Sequence, residues 1–182
     1  MSKKIKLIVG STRQGRVGKP VSDWLIEEAK DAGHDVEVLD LQAIDLPPFD
    51  AAIPPSYKPT ETPKGKAWAE TVTNSDGFIF VTPEYNRSIP SSLKNAIDYL
   101  APEWENKPVA IISYGYIDGG KSAARHLQDI MDWLKMRNVG EEMALKFDRG
   151  TFNEEGQFND ADATLSEIKD AYIQSLESLE SA

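Results

Sequence analysis

Cysteine is absent from the 182 residues. Disulfides, thiol catalysis and cysteine-ligated metals are therefore excluded. Histidine is nearly absent: His34 and His126 stand alone, with no ligand-type neighbours at useful spacing, so a metal centre has little to build on. Basic residues are outnumbered, 20 against 30 acidic, for a formal net charge of −10. That excludes the basic footprint a nucleic-acid surface needs and argues against an anionic membrane; the acidity serves solubility. No apolar run approaches the roughly 20 residues of a membrane span. The start, "MSKKIKLIVG", has too short an apolar stretch for a signal peptide. The expectation is a cytoplasmic protein whose partners are neither nucleic acid nor membrane.

What is present is ordinary in bulk and specific in pattern. The chain is 40% hydrophobic and 27% charged, as in soluble globular domains. Its length suits one domain with a real core, so residues 1–182 are read as a single domain. There is no internal repeat or low-complexity segment, but there is alternation. "IKLIV" is a β-branched run, and the residues after it place Val21, Trp24, Leu25 and Ala29 at helical spacing before Gly33. "DVEVLDL" alternates with period two. The proline-rich residues 44–63 are a loop, either edging a substrate pocket or crossing the end of the sheet. "KAWAETVTNSD" is a short helix, and "GFIFVT" is a continuous apolar strand, buried on both faces. "SSLKNAIDYL" is a helix with Pro90 at its start. "KPVAIISYG" is a further buried strand, "GKSAARHLQDIMDWLKMR" an amphipathic helix and "NVGEEMALKF" a less regular fifth strand. A last helix, over 160–180, puts Leu165, Ile168, Tyr172 and Leu176 on one face. Trp24, Trp68 and Trp133 fall on helical apolar faces and are assigned to core or interface.

Five strands alternating with helices imply an α/β fold: a three-layer sandwich around a parallel sheet. With right-handed crossovers, the doubly wound order 2-1-3-4-5 follows, and ligands then sit beyond the carboxyl ends of the strands, at the switch point. Three unusual loops leave the sheet there. "GSTRQGRVGK" supplies Ser11 and Thr12 hydroxyls, and Arg13, Arg16 and Lys19 within seven positions and without an acid. It is either a solvated basic turn or an anion site at a helix N-terminus. Neither a Walker A loop nor G-x-G-x-x-G is present, so one phosphate fits better than a pyrophosphate. "TPEYN" fixes the backbone with Pro83; Tyr85 covers either a ring face or the core, and Asn86 meets a ring edge or braces the turn. "SYGYIDGGK" is an ordinary glycine-rich turn or a platform for close approach of a ligand. Taken together, phosphate site, ring-edge turn and glycine platform make the shape of a flavin mononucleotide site.

The stretches "GSTRQGR", "PEYNRSIPSSLKNAIDYL" and "SYGYIDGGKSAARHL" resemble the NADPH-dependent FMN reductase family, the flavodoxin-like group that includes quinone-, azo- and chromate-reducing enzymes. The resemblance spans about residues 4 to 147. It implies a flavodoxin-like domain that binds FMN and uses NADPH or NADH as co-substrate. It also implies a homodimer or homotetramer, with the helix "LKNAIDYL" and the segment around Trp104 near the interface. By position, Ser11, Arg13, Arg16, Val17 and Gly18 are expected to hold the phosphate and the start of the ribityl chain. Pro83, Glu84, Tyr85 and Asn86 are expected to border the isoalloxazine, largely by backbone contacts, and Ser113, Tyr114, Gly115 and Gly119 to close the other side. Lys19 and Arg87 are candidates for the 2′-phosphate of NADPH. Tyr99 stands where many members have Trp, and Gly18 where some have a polar residue. No side chain is assigned as catalytic acid or base, because a flavin carries the hydride chemistry itself. The implied reaction passes hydride by a ping-pong route to a small acceptor: a quinone, an azo compound, a free flavin or a metal ion. A flavodoxin-type electron carrier is the alternative, although its phosphate loop normally lacks arginine. A receiver domain of the same sheet order lacks its acidic cluster here.

Overall fold

The computed structural model describes residues 3–182. The expected order is observed. Strands β1 (Ile5–Val9), β2 (Val36–Asp40), β3 (Gly77–Pro83) and β4 (Pro108–Gly115) pair in parallel in the order β2-β1-β3-β4. Val9 stands level with Asp40 and Val81, and Thr82 with Ser113, so the carboxyl ends share one edge.

The fifth strand is broken. Arg137–Asn138 (β5) pairs with Pro108 and Val109, and Met143–Lys146 (β6) with Ile112 to Gly115, both parallel to β4. Between them Gly140 lies over Ala110 so closely that a Cβ would come within 2.5 Å of the Ala110 Cβ. The chain bulges toward the last helix, where the Glu141 N–H donates to the Ser175 hydroxyl. This accounts for the irregular pattern of "NVGEEMALKF".

Helices cover both faces. On one side α1 (Gly18–Asp31), α6 (Ala161–Leu165) and α7 (Lys169–Ser181) bury Ile5, Leu7, Val9, Ile79 and Ile112. On the other, α3 (Pro63–Thr73), α4 (Ser91–Asp98) and α5 (Lys121–Trp133) bury Ile8, Phe78, Phe80 and Val109. The terminal helix expected over 160–180 is two helices joined by a 3₁₀ turn at Ser166–Ile168. Leu165, Ile168, Tyr172 and Leu176 are nevertheless all buried. A short helix α2 (Leu41–Ile44) follows β2 directly, capped by Asp40, whose carboxylate accepts the Gln42 N–H at 3.0 Å.

Of the tryptophans assigned to core or interface, Trp24 and Trp68 are core residues, and Trp133, 85% exposed at the end of α5, lies outside the core. Trp104 is fully buried against Trp68, Phe78 and Phe80. The proline-rich loop is pinned across α4. Asn95 accepts the Phe49 N–H and donates to the Pro47 carbonyl, which also accepts the Tyr99 hydroxyl. Among the described residues, no helix is long and apolar enough to cross a membrane.

Candidate functional site

The three loops singled out in the sequence meet at the carboxyl edge of the sheet and are cross-braced. The β1–α1 loop leaves the sheet with the Gly10 N–H on the Val81 carbonyl, while the Gly10 carbonyl accepts the Ser92 hydroxyl at 2.6 Å. Ser11 is fully buried, and its hydroxyl lies 2.7 Å from that of Tyr85 on the β3–α4 loop. Gly15 takes a left-handed conformation, φ 65°, which glycine adopts without steric cost. This lets the chain double back so that the Arg16 N–H meets the Arg13 carbonyl.

The basic residues of this loop divide into two kinds. Arg13 is exposed and makes no ion pair among the described residues. Arg16 is inward-facing: its Nη1 and Nη2 donate to both Asp40 carboxylate oxygens at 2.7 and 2.5 Å, and Nη1 also donates to the Ser11 carbonyl at 3.0 Å. The expectation that Arg16 offers its charge outward is thus revised: the sequence stretch holds no acid, but β2 delivers one from 24 residues away. Lys19 is paired with Asp23 on the same helix, and Arg87 lies 3.2 Å from Asp118.

Helix α1 begins with no side-chain cap and no acid in its first turn. Pro20 has no N–H, and that of Lys19 has no partner among the described residues. A phosphate suits this donor set, an exposed arginine beside an uncapped helix start. Gly18 has a local reason to be glycine, since a Cβ there would sit 2.9 Å from the Tyr114 oxygen.

That contact relocates Tyr114. Its side chain runs beneath the β1–α1 loop against Phe147 and is buried. Burial, with a smaller contribution from Tyr85, pushes its hydroxyl well above the usual tyrosine range. Tyr114 therefore supports the phosphate loop from below and leaves only its backbone to the crevice, where its carbonyl accepts the Glu84 N–H.

The "PEYN" segment forms a two-residue hairpin. Tyr85 and Ser88 exchange backbone hydrogen bonds at 2.8 and 3.0 Å, while Asn86 (φ 51°) and Arg87 (φ 66°) both have positive φ. This is the sign pattern of a type I′ turn, in which asparagine is favoured first and glycine second. Arginine in the second place stores local strain of a kind that clusters at functional sites. Glu84 does not point outward as a ring-edge group. Its carboxylate accepts the Ser122 and Ala123 N–H groups at 3.0 and 3.3 Å. The N-cap residue of α5, Gly120, has no side chain to do so. Glu84 thus ties the β3–α4 turn to the helix behind the β4–α5 loop.

On the third loop, Ser113 is buried and donates to the Gly119 carbonyl at 2.8 Å. Gly119 is packed on protein, since a Cβ there would lie 2.8 Å from the Ala144 carbonyl. Gly119, expected to admit a ligand, thus first admits the loop to β6. Gly115 and Pro83 lie at the strand ends, Val17 is half-buried at the start of α1, and Asn86 is exposed at the hairpin tip. The structure brings Ser11, Val17, Gly18, Tyr85, Tyr114 and Gly115 into one braced unit. Asp40 and Ser92 belong to it and were not singled out; the only sequence trace of Asp40 is an acid closing the alternating strand "VEVLD". Beside the loop a cavity of about 290 Å³ is lined by Thr12, Gln42, Asp45, Ser92 and Asn95.

The sequence profile of a family described as NADPH-dependent FMN reductase matches residues 3–150. An NAD(P)H-dependent FMN reductase of Nectria sp is 37% identical over 155 residues, covering 81% of this chain and 77% of that protein. A quinone reductase of Escherichia coli is 38% identical over 143 residues, covering 74% of this chain and 73% of that protein. Among solved structures, a flavoenzyme NAD(P)H:(acceptor) oxidoreductase of Paracoccus denitrificans superimposes with a TM-score of 0.73 at 23% identity, covering 96% of this chain and 97% of that one.

Proposed function

Because the chain belongs to the NADPH-dependent FMN reductase family, we propose that it is an FMN-dependent NAD(P)H oxidoreductase whose acceptor is a small quinone or flavin-type molecule. One observation carries the placement of the cofactor. Arg13, exposed and without an ion pair among the described residues, stands beside the uncapped start of α1, on a loop that the Ser11–Tyr85 contact joins to the β3 hairpin. When bound there, FMN would supply the two-electron hydride chemistry.

The chain's own residues bind and orient. Arg13, the Lys19 N–H and the Ser11 and Thr12 region meet the phosphate. The hairpin Pro83–Asn86 and the backbone at Ser113, Tyr114, Gly115 and Gly119 border the ring system. Backbone N–H groups there stabilise negative charge without reorganising. No side chain is required as acid or base. Donor and acceptor use the same space in turn, which is a ping-pong order. The chain works as one domain over its length and as a homo-oligomer. Quinone acceptors are favoured by the named activities of the Escherichia coli and Solanum tuberosum relatives.

The test is a visible spectrum of protein loaded with FMN, desalted and mixed anaerobically with NADPH or NADH. Retained yellow colour that bleaches and returns on adding a quinone is the expected result. Retained colour that neither nucleotide bleaches would make the protein an electron carrier.

A further inference from the structure

We infer that Asp40 is a positioning residue for cofactor binding, acting through Arg16 to hold the phosphate loop in its binding shape. The inference rests on the reading of the crevice as an FMN site. An arginine in a phosphate loop is ordinarily taken as a phosphate ligand, and the geometry here points elsewhere. Both terminal nitrogens of Arg16 are on the Asp40 carboxylate, and one also reaches the Ser11 carbonyl. The two side chains are only 10% and 18% exposed. A bidentate guanidinium–carboxylate pair of this kind is strong and orientation-specific, and its net charge is zero, so it adds little field at a phosphate. What it does is mechanical. Asp40 is fixed at the end of β2, beside Val9, and also caps α2 through the Gln42 N–H. Arg16 is therefore anchored to the sheet, and through the Ser11 carbonyl it sets the loop whose Ser11 hydroxyl faces Tyr85. The charge that meets the phosphate is that of Arg13.

Positioning and direct contact differ in sign for one substitution. If Asp40 were merely an acid near a phosphate, removing its charge would leave FMN binding unchanged or tighter. If it positions the loop, removal weakens binding. The experiment is a fluorescence titration of the full apo chain with FMN and with riboflavin, which lacks the phosphate. Asp40→Asn should raise the FMN dissociation constant about tenfold, the scale of a lost charge-assisted bidentate contact. Its riboflavin constant should stay within about twofold. Arg16→Lys should behave as Asp40→Asn does, because an ammonium cannot make the planar two-point contact. The double variant should be no weaker than either single one. The salt dependence of FMN binding should persist in Arg16→Gln and flatten in Arg13→Gln. FMN binding by Asp40→Asn as tight as the wild type, or a flattened salt dependence in Arg16→Gln, would make Arg16 a direct ligand and overturn the inference. Equal losses for FMN and riboflavin would reduce the pair to a fold-wide structural role and overturn it too. A wild-type chain that binds no FMN is a separate result that removes the FMN reading itself, and this inference with it.

Discussion

The hydroxyls of Ser11 and Tyr85 lie 2.7 Å apart and join loops separated by 74 residues. Ser11 is fully buried, and its hydroxyl otherwise meets only the Arg13 N–H, at 3.4 Å, among the described residues. Removing one partner strands the other, at a cost of about 1–3 kcal/mol when the remaining group is buried. Tyr85→Phe and Ser11→Ala should each destabilise the fold by about 1 kcal/mol and weaken FMN binding by a similar amount, with the double variant no worse than the larger single effect. Denaturant midpoints and FMN titrations of the three variants measure this coupling. Strictly additive losses would show that the two hydroxyls do not interact.

Arg13→Ala should weaken FMN binding by about 1.5–3 kcal/mol, the range of a charge-assisted hydrogen bond to phosphate. Riboflavin binding should hardly change. The comparison of the two flavins isolates the phosphate contribution, and an unchanged FMN constant removes Arg13 from the site.

Glu84 is the cap of a helix it does not belong to. Its carboxylate accepts the second and third N–H groups of α5 across 38 residues of chain. Glu84→Ala should cost about 1–2 kcal/mol of unfolding free energy, as deleted helix caps do, and Glu84→Gln distinctly less, because the amide oxygen still accepts. Chemical denaturation of both variants gives the answer. Equal losses in the two would mean that the negative charge at the helix start dominates over the hydrogen bonds.

Arg87 has φ 66° in the hairpin, the place where Asn-Gly turns carry glycine. Arg87→Gly relieves left-handed strain of about 1–2 kcal/mol and loses an exposed contact to Asp118 worth about 0–1 kcal/mol. The glycine also makes the unfolded chain more flexible. The expected net change is small and stabilising, up to about 0.5 kcal/mol. A melting-temperature drop of several degrees would show that the contacts of Arg87 to Asp118 and, at 3.5 Å, to Glu84 outweigh the strain.

Tyr172 is fully buried, and its hydroxyl has no hydrogen-bond partner among the described residues. Burial raises its pKa, whereas an unfolded tyrosine ionises near about pH 10. Above that pH the unfolded chain gives up a proton that the folded chain keeps, so stability falls as pH rises. Tyr172→Phe should leave neutral-pH stability unchanged or raise it by about 1 kcal/mol, the unmet desolvation of the hydroxyl. It should also lessen the alkaline loss. Melting curves at neutral pH and above pH 10 test both parts; a variant that melts markedly earlier at neutral pH would reveal a partner for the hydroxyl.

The sequence by itself determined the layers. Apolar runs such as "GFIFVT" and helical spacing such as Leu165, Ile168, Tyr172 and Leu176 are local periodicities, and they need no tertiary information to be read. With the handedness of crossovers they set the strand order and so the edge at which the three loops meet. Tertiary structure decided which side chain serves which loop. Arg16 reads as a phosphate ligand until β2 brings Asp40 to it. Glu84 and Tyr114 read as crevice walls until α5 and the loop after β1 claim them. Trp133 reads as core or interface, and the rotation of α5 leaves it outside the core, while Trp104 packs within. The physical reason is the same each time. Hydrophobic periodicity depends on neighbours along the chain, whereas a polar group's partner depends on the register of strands that are distant in sequence and adjacent in space.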